Sequence, residues 1–372
     1  MMTENPYCFA GQDEICSPQL IYYPEIIAQN IDLMKKLAGG ADRLWPHVKT
    51  YKMEKVVKML LAAGIKRFKC ATIAELEMTV RAGAEAALMA YPLIGPNMER
   101  FLHICRDYPE VSLYAMGDDS EQVERLGSLA WKNHMTVRLL MDVDMGQHRT
   151  GVALEKAAAL YRKWNAFEGI RMCGFHCYDG HRHEHGLEER MAAAAPWDAQ
   201  INALQKELTA QGMDCGVTIM GGTPSFPCHE HLTDAYLSPG TCVIQDIGYR
   251  DAYADLPFVP AAALLTRVIS RPTEDTFTLD LGTKAVACDP PIPRAQIVGM
   301  EYAQTVMHNE EHWVLKVPKE HRKDIPEIGS VLFALPVHIC PTTALYASVL
   351  AVEGGRIREW WEVTAAKRRI TY

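Results

Sequence analysis

The sequence predicts an α/β chain: a closed barrel of eight parallel strands alternating with helices, followed by a mostly-β domain. Two observations carry this. Apolar strand-like runs alternate regularly with helix-spaced segments up to about residue 240, and beyond about Arg250 convincing helices become few while short strands separated by turns take over. Alternation implies a parallel sheet covered by helices, and eight units imply a closed barrel. At 372 residues the chain also exceeds the usual size of one domain.

Residues 1–17 lack periodicity, and residues 18–23 read as a strand. From Pro24, the residues Ile26, Ile27, Ile31, Met34 and Leu37 recur at helical spacing, and Gly39-Gly40 supplies a stop. The apolar run ending near Val48 reads as the first barrel strand; Val56, Val57, Leu60 and Leu61 mark the next helix, closed by Gly64. Further barrel strands are expected at 67–71, 86–91, 111–115, 137–143, 170–176, 216–220 and 235–237, with helical segments such as 73–81, 121–131 and 154–164 between them. In the tail, strands are expected at 261–270, 276–281, 295–298, 313–317, 330–334 and 357–363. The expected domains are a barrel over 18–252 and a β-rich domain made of 1–17 plus 253–372, because the two termini of a domain often lie close together.

Composition narrows the partner. With 46 acidic against 38 basic residues the net charge is −8, which leaves no basic footprint for nucleic acid or an anionic membrane, so a small molecule is the expected partner. Met1-Met2-Thr3-Glu4-Asn5 shows no secretory pattern, and no apolar run is long enough to span a bilayer. Eleven scattered cysteines without a Cys-x-x-Cys pair read as reduced thiols of a cytoplasmic protein.

Barrel enzymes place chemistry at the C-terminal ends of their strands. Lys49, within Pro46-His47-Val48-Lys49-Thr50-Tyr51-Lys52, falls there, and a lysine amine forms an imine with an aldehyde cofactor once burial disfavours its ammonium form. On local pattern alone, Lys49, Lys52 and Lys55 read equally as solvated lysines. After the seventh strand, Gly221-Gly222-Thr223-Pro224-Ser225 permits close backbone approach and offers amides and hydroxyls to a phosphate, although a plain turn has the same composition. Arg149, in the run from Asp144 to Gly151 after the fifth strand, can hold an anionic oxygen, or simply be an exposed turn arginine. Beyond the sixth strand, Tyr178 can pack on an aromatic cofactor and His181 can act as a general acid or base, or both can be ordinary strand-end residues. His181, His183 and His185 alternate as metal ligands would on an extended segment, but Arg182 and Glu184 make it read as a solvated loop. His338 and Cys340 stand two apart, so on a strand their imidazole and thiolate would share a side and suit a borderline-soft cation with positions left open for substrate.

Taken in order, Pro46-His47-Val48-Lys49-Thr50, Asp144 to Gly151, Tyr178-Asp179-Gly180-His181, Gly221-Gly222-Thr223-Pro224, Ser238-Pro239-Gly240-Thr241 and Pro336 to Pro341 resemble the motifs of the D-threonine aldolase and D-serine dehydratase family over nearly the whole chain. The resemblance implies a fold-type III pyridoxal-phosphate enzyme with an alanine-racemase-like barrel and a C-terminal β domain. It implies that Lys49 carries the cofactor, that Gly221, Gly222, Thr223, Gly240 and Thr241 hold its phosphate, that Arg149 lies beside its phenolic oxygen and that Tyr178 lies near its ring. It further implies a divalent metal on His338 and Cys340, zinc first with manganese or magnesium as alternatives, a histidine near the substrate hydroxyl at His181, and a cytoplasmic homodimer.

The implied activity is that of a lyase on a D-3-hydroxy amino acid, by dehydration with deamination or by retro-aldol cleavage. Within the family a cysteine as second metal ligand leans towards dehydratases, so Cys340 tips the expectation to dehydration. Two positions depart from the pattern: Trp45 stands where an arginine is usual and Tyr51 where a histidine is usual, which points to an unusual substrate. An amino-acid racemase of the same architecture, which needs no metal, and a non-enzymatic pyridoxal-phosphate carrier, which resembles the barrel alone, are the alternatives.

Overall fold

Before the barrel begins, the chain contributes one strand to a different sheet. In the computed structural model, which describes residues 5–372, this is β1 (Gln19–Tyr22). The barrel strands follow as β2 (Arg67–Cys70), β3 (Ala86–Met89), β4 (Ser112–Gly117), β5 (Val137–Asp142), β6 (Ile170–Cys177), β7 (Val217–Met220) and β8 (Ala235–Leu237), all parallel and hydrogen-bonded in sequence order. They belong to a unit made of Asp32–Lys49, Glu54–Gly240 and Lys367–Tyr372.

The eighth member of the barrel is not a strand in its own right. The segment before Lys49 closes the ring through single bridges, Leu44 to Leu237 on one edge and His47 to Lys69 on the other. Trp45 N–H donates to the Leu237 carbonyl at 2.8 Å, and Lys69 N–H donates to that of Pro46 at 2.9 Å. Pro46 has no N–H to continue a ladder, and Val48–Thr50 then winds into a 3-10 turn. Lys49 therefore projects from a turn and not from a strand end.

Two of the helices between the strands start at a capping side chain. Thr72 accepts from Glu75 N–H at the head of Ile73–Arg81, and Asp119 accepts from Glu121 and Gln122 N–H at the head of Ser120–Lys132. The barrel core gathers Trp45, Ala86, Leu88, Met116, Leu140, Cys173 and Ile219. Trp45 is 1% exposed, donates its indole N–H to the Phe68 carbonyl and meets Tyr114 and Tyr236 edge-on at 5.7 and 5.2 Å. Trp45 is thus a packing residue inside the barrel.

The second unit comprises the chain up to Ile31, Thr50–Met53 and Thr241–Ala366. Its strands are β9 (Ala262–Thr273), β10 (Thr276–Leu279), β11 (Ala295–Ile297), β12 (Gln304–His308), β13 (Trp313–Lys316), β14 (Val331–Pro336), β15 (Ser348–Glu353) and β16 (Arg356–Glu362). The path runs β12-β13-β10-β9-β1-β15-β16, with β14 joining β9 to β11. β1 pairs antiparallel with β9 and parallel with β15, and Tyr7 and Phe9 pack into the same core as Ile21, Leu265, Phe333 and Leu350. β12 and β15 have no counterpart among the strands expected from sequence. The eleven cysteines form no disulfide, and no helix among the described residues is long and apolar enough to cross a membrane.

Candidate active site

Strand ends of the barrel converge on a cavity of about 600 Å³ whose walls include Lys49, Lys69, Asp142, Arg149, His176 and Tyr178. Lys49 is half-buried. Lys69, near the end of β2, is 2% exposed, and its Nζ lies 3.4 Å from His176 Nε2; His176 Nδ1 in turn lies 2.7 Å from Asp142 Oδ1. Burial, reinforced by the charge of Lys49 and opposed by Asp142 and Asp179, pushes the Lys69 amine down to about 7. Burial also lowers His176, against the hydrogen bond to Asp142. A neutral His176 donates from Nδ1 to Asp142 and accepts from Lys69 at Nε2.

Tyr178 is the aromatic centre of this group. Lys69 Nζ stands 5.4 Å and the Arg149 guanidinium carbon 5.1 Å from its ring centroid, both within cation–π range. Arg149 is exposed at the end of a turn organised by Asp144. Asp144 Oδ1 accepts from Gly146 and His148 N–H at 2.9 and 3.0 Å, and Oδ2 lies 2.7 Å from His148 Nδ1. Partial burial opposes ionisation of Asp144, but the His148 and Gly146 bonds outweigh it and lower its pKa.

The glycine turn lies behind Tyr178 and is not itself part of the cavity wall. Gly221 has φ +81°, in the left-handed region, and a Cβ on Gly222 would come within 3.0 Å of the Tyr178 ring. The amides of both glycines are engaged: Gly221 N–H donates to the Cys177 carbonyl at 3.1 Å and Gly222 N–H to Ser225 Oγ at 3.0 Å. Thr223 Oγ accepts from Gly240 N–H at 3.1 Å, and among the described residues nothing accepts from the Thr223 N–H. Gly240 packs so closely that its Cβ would lie 3.1 Å from His47 Cβ, on another cavity residue.

His181 does not line the cavity. It sits near the Asp144 turn, its Nε2 3.8 Å from where a Gly146 Cβ would be, with Nδ1 buried and without a hydrogen-bond partner among the described residues. Burial and then Arg182 lower its pKa. His183 and His185 add no metal site, since no group of three or more His, Cys, Asp or Glu suited to a metal occurs among the described residues.

In the other unit His338 and Cys340 meet, although not by the strand geometry expected. β14 ends at Pro336; His338 is the N-cap of the short helix Ile339–Ala344, and Cys340 lies in its first turn. Each side chain still perturbs the other: His338 outweighs burial and lowers the Cys340 thiol, while Cys340 and Asp289 outweigh burial and raise His338 to about 9. Asp289 Oδ2 lies 2.5 Å from His338 Nδ1, and Asp246 Oδ2 accepts from the Ile339 N–H at 3.0 Å, tying down the helix start. Thr50 and Thr241 hydroxyls lie 3.2 and 3.5 Å from Cys340 Sγ. Thr241 thus touches the thiol, a role its sequence context did not announce.

A cavity of this size with an amine, a guanidinium and a phenol ring on its walls, and a glycine turn packed against that ring with an uncapped amide at Thr223, suits pyridoxal phosphate. An imidazole beside a thiol, with a carboxylate on the imidazole, offers two donors of the kind a borderline-soft cation takes, short of a set of three protein ligands among the described residues. Lys69, His176 and Asp142 were missed from sequence, although each lies at or near the C-terminal end of a barrel strand, which was the available signal.

Comparison with known proteins agrees with this architecture. Residues 24–246 match the family described as alanine racemase, N-terminal domain, and residues 261–352 match a putative serine dehydratase domain. A D-threonine aldolase from an Arthrobacter species is 26% identical over 89% of this chain and 88% of its own length. A 3-hydroxy-D-aspartate aldolase from Paracoccus denitrificans is 24% identical over 95% of this chain and 93% of its own. The solved D-threo-3-hydroxyaspartate dehydratase from Delftia superposes with a TM-score of 0.84 at 22% identity, covering 94% of this chain and 98% of that one. Solved variants of a dehydratase of that name replace a histidine and a cysteine two positions apart, the cysteine variant in a metal-free form. These relatives are lyases by name, and the racemase-type barrel implies pyridoxal phosphate as cofactor. The chain belongs to the family defined by the alanine racemase N-terminal domain.

Proposed function

We propose that this protein is a pyridoxal-phosphate- and metal-dependent lyase of D-3-hydroxy amino acids, acting by dehydration and deamination. One observation carries the reading: the same chain presents an amine-bearing cavity at a barrel mouth and an imidazole–thiolate pair, His338 and Cys340, in its β-rich unit. A racemase has no use for that pair.

In this reading Lys49 bears the cofactor, Arg149 faces the phenolic oxygen and Tyr178 packs against the ring. Gly221, Gly222 and Thr223 form the phosphate turn, with Gly240 and Thr241 beside it. When bound, pyridoxal phosphate supplies a sink for the electron pair left at the substrate α-carbon. The Lys49 amine, on the wall of the same cavity, would take the proton from that carbon. Arg149 remains the cation nearest the cavity mouth, and Lys69 with His176 and Asp142 forms a second polar wall that can hold or release a proton. His338 and Cys340 would hold a divalent metal, zinc by the softness of the donors, which would supply Lewis acidity. His181 is the reserve acid–base group of the hydroxyl, and the working enzyme is a cytoplasmic homodimer.

Dehydration is favoured over aldol cleavage because His338 and Cys340 reproduce the two-position spacing of the histidine and cysteine replaced in the dehydratase variants. Retro-aldol cleavage is the second reading, and relatives that span the chain and are named D-threonine aldolase and 3-hydroxy-D-aspartate aldolase favour it. Product analysis on a panel of D-3-hydroxy amino acids with added zinc, manganese or magnesium separates them. Ammonia and a keto acid are expected; an aldehyde with glycine establishes the aldolase; inverted substrate with neither product overturns the lyase.

A further inference from the structure

Behind the glycine turn lies a chain of buried polar groups that no step of the proposed reaction uses. Asp179 follows β6, Ser225 and His229 follow β7, and Asp198 lies in the helix Leu187–Ala210. They are 1%, 0%, 0% and 3% exposed, respectively. Gly222 N–H donates to Ser225 Oγ at 3.0 Å, and Ser225 O–H donates to Asp179 Oδ1. His229 Nε2 lies 3.0 Å from Asp179 Oδ2, and His229 Nδ1 lies 2.7 Å from Asp198 Oδ1.

Both ring nitrogens of His229 face carboxylate oxygens, and two such bonds require both nitrogens to donate, so the ring is an imidazolium. The two carboxylates outweigh the effect of burial and raise its pKa to about 9. The electrostatic consequence reaches the turn. With the imidazolium in place, two buried carboxylates and one cation sum to a single negative charge; without it, two negative charges would stand behind a turn that has to receive a phosphate dianion. The geometric consequence is equally direct, since the Gly222 amide is held by the hydroxyl at the end of this chain, which leaves the neighbouring Thr223 amide as the uncapped donor of the turn.

We infer that the series Asp198–His229–Asp179–Ser225 is a positioning relay that holds the Gly221–Thr223 turn in its anion-receiving conformation and screens the bound phosphate from Asp179. The inference rests on the assignment of that turn to the cofactor phosphate. These four are positioning residues, because the relay holds the turn at the Gly222 amide and does not itself touch the ligand.

The test compares the affinities of apo-protein for pyridoxal phosphate and for pyridoxal, which lacks the phosphate, by absorbance titration. Wild type is expected to prefer pyridoxal phosphate strongly. His229→Gln and Ser225→Ala are expected to lose about tenfold or more of affinity for pyridoxal phosphate while changing that for pyridoxal less than about threefold, a split that general loosening of the fold would not produce. Should His229→Gln fail to fold, Ser225→Ala, which removes one hydroxyl, carries the test alone. Folded variants that keep the wild-type preference overturn the relay. A wild type with no preference for the phosphorylated form overturns the turn assignment, and the relay with it.

Discussion

Replacing Lys69 by methionine should stabilise the apo-protein while damaging its cavity. The ordinary lysine pKa of 10.5 falls to about 7 in the folded chain, with burial as the main cause and the charge of Lys49 next. A base whose folded pKa lies below its unfolded value destabilises the fold; the penalty is complete below the folded pKa and fades as pH rises towards the unfolded one. At ~1.4 kcal/mol per pH unit, the difference amounts to about 5 kcal/mol at pH 6 and still about 2 kcal/mol at pH 9. Methionine keeps most of the aliphatic volume but forfeits the contact to His176 Nε2, worth about 1 kcal/mol. Lys69→Met should therefore gain about 4 kcal/mol at pH 6 and about 1 kcal/mol at pH 9. Denaturant unfolding of both apo-proteins at the two pH values measures this. A variant less stable than wild type at pH 6, or a gain that does not shrink with pH, would refute the reasoning and mean that Lys69 is well compensated in the fold.

Trp45→Ala, which empties the barrel core beside Tyr114 and Tyr236, should cost about 3–5 kcal/mol in the same unfolding assay; a loss below about 1 kcal/mol would show that the core collapses around the gap. In Gly222→Ala the new methyl meets the Tyr178 ring at 3.0 Å and should weaken pyridoxal-phosphate binding roughly tenfold, a loss of ~1.4 kcal/mol, read by absorbance titration. Chelation should abolish turnover and His338→Ala should mimic it, with the absorbance of the bound cofactor unchanged in both; full turnover after either would remove the metal from the mechanism.

The alternation of strand and helix was legible because the buried positions of β2 to β8 are mostly apolar, and the strands lie where periodicity put them to within a few residues. Where prediction failed, a local pattern was overruled by a proline beside it, by a distant segment or by closure of the barrel. The run ending at Val48 has strand composition, but Pro46 breaks its ladder and leaves only bridges. His338 and Cys340 have strand spacing, but Pro336 ends β14 and Asp246, from a distant segment, anchors a helix start instead. β12 carries mostly exposed residues and offered no apolar signal. Lys69 sits in Arg67-Phe68-Lys69-Cys70, which reads as a strand with a wet face; that the wet face is the inside of a barrel follows only from closure. The relay through His229 joins three segments, so no spacing along the chain could have revealed it as a whole.

The central claim is that Lys49 is the amine that carries the cofactor, and the cavity contains a rival in Lys69, whose amine is pushed towards neutrality. Borohydride reduction of the loaded enzyme followed by peptide mass mapping distinguishes them directly. The pyridoxyl mass is expected on the peptide containing Lys49; finding it on the peptide containing Lys69, or on neither, would contradict the account.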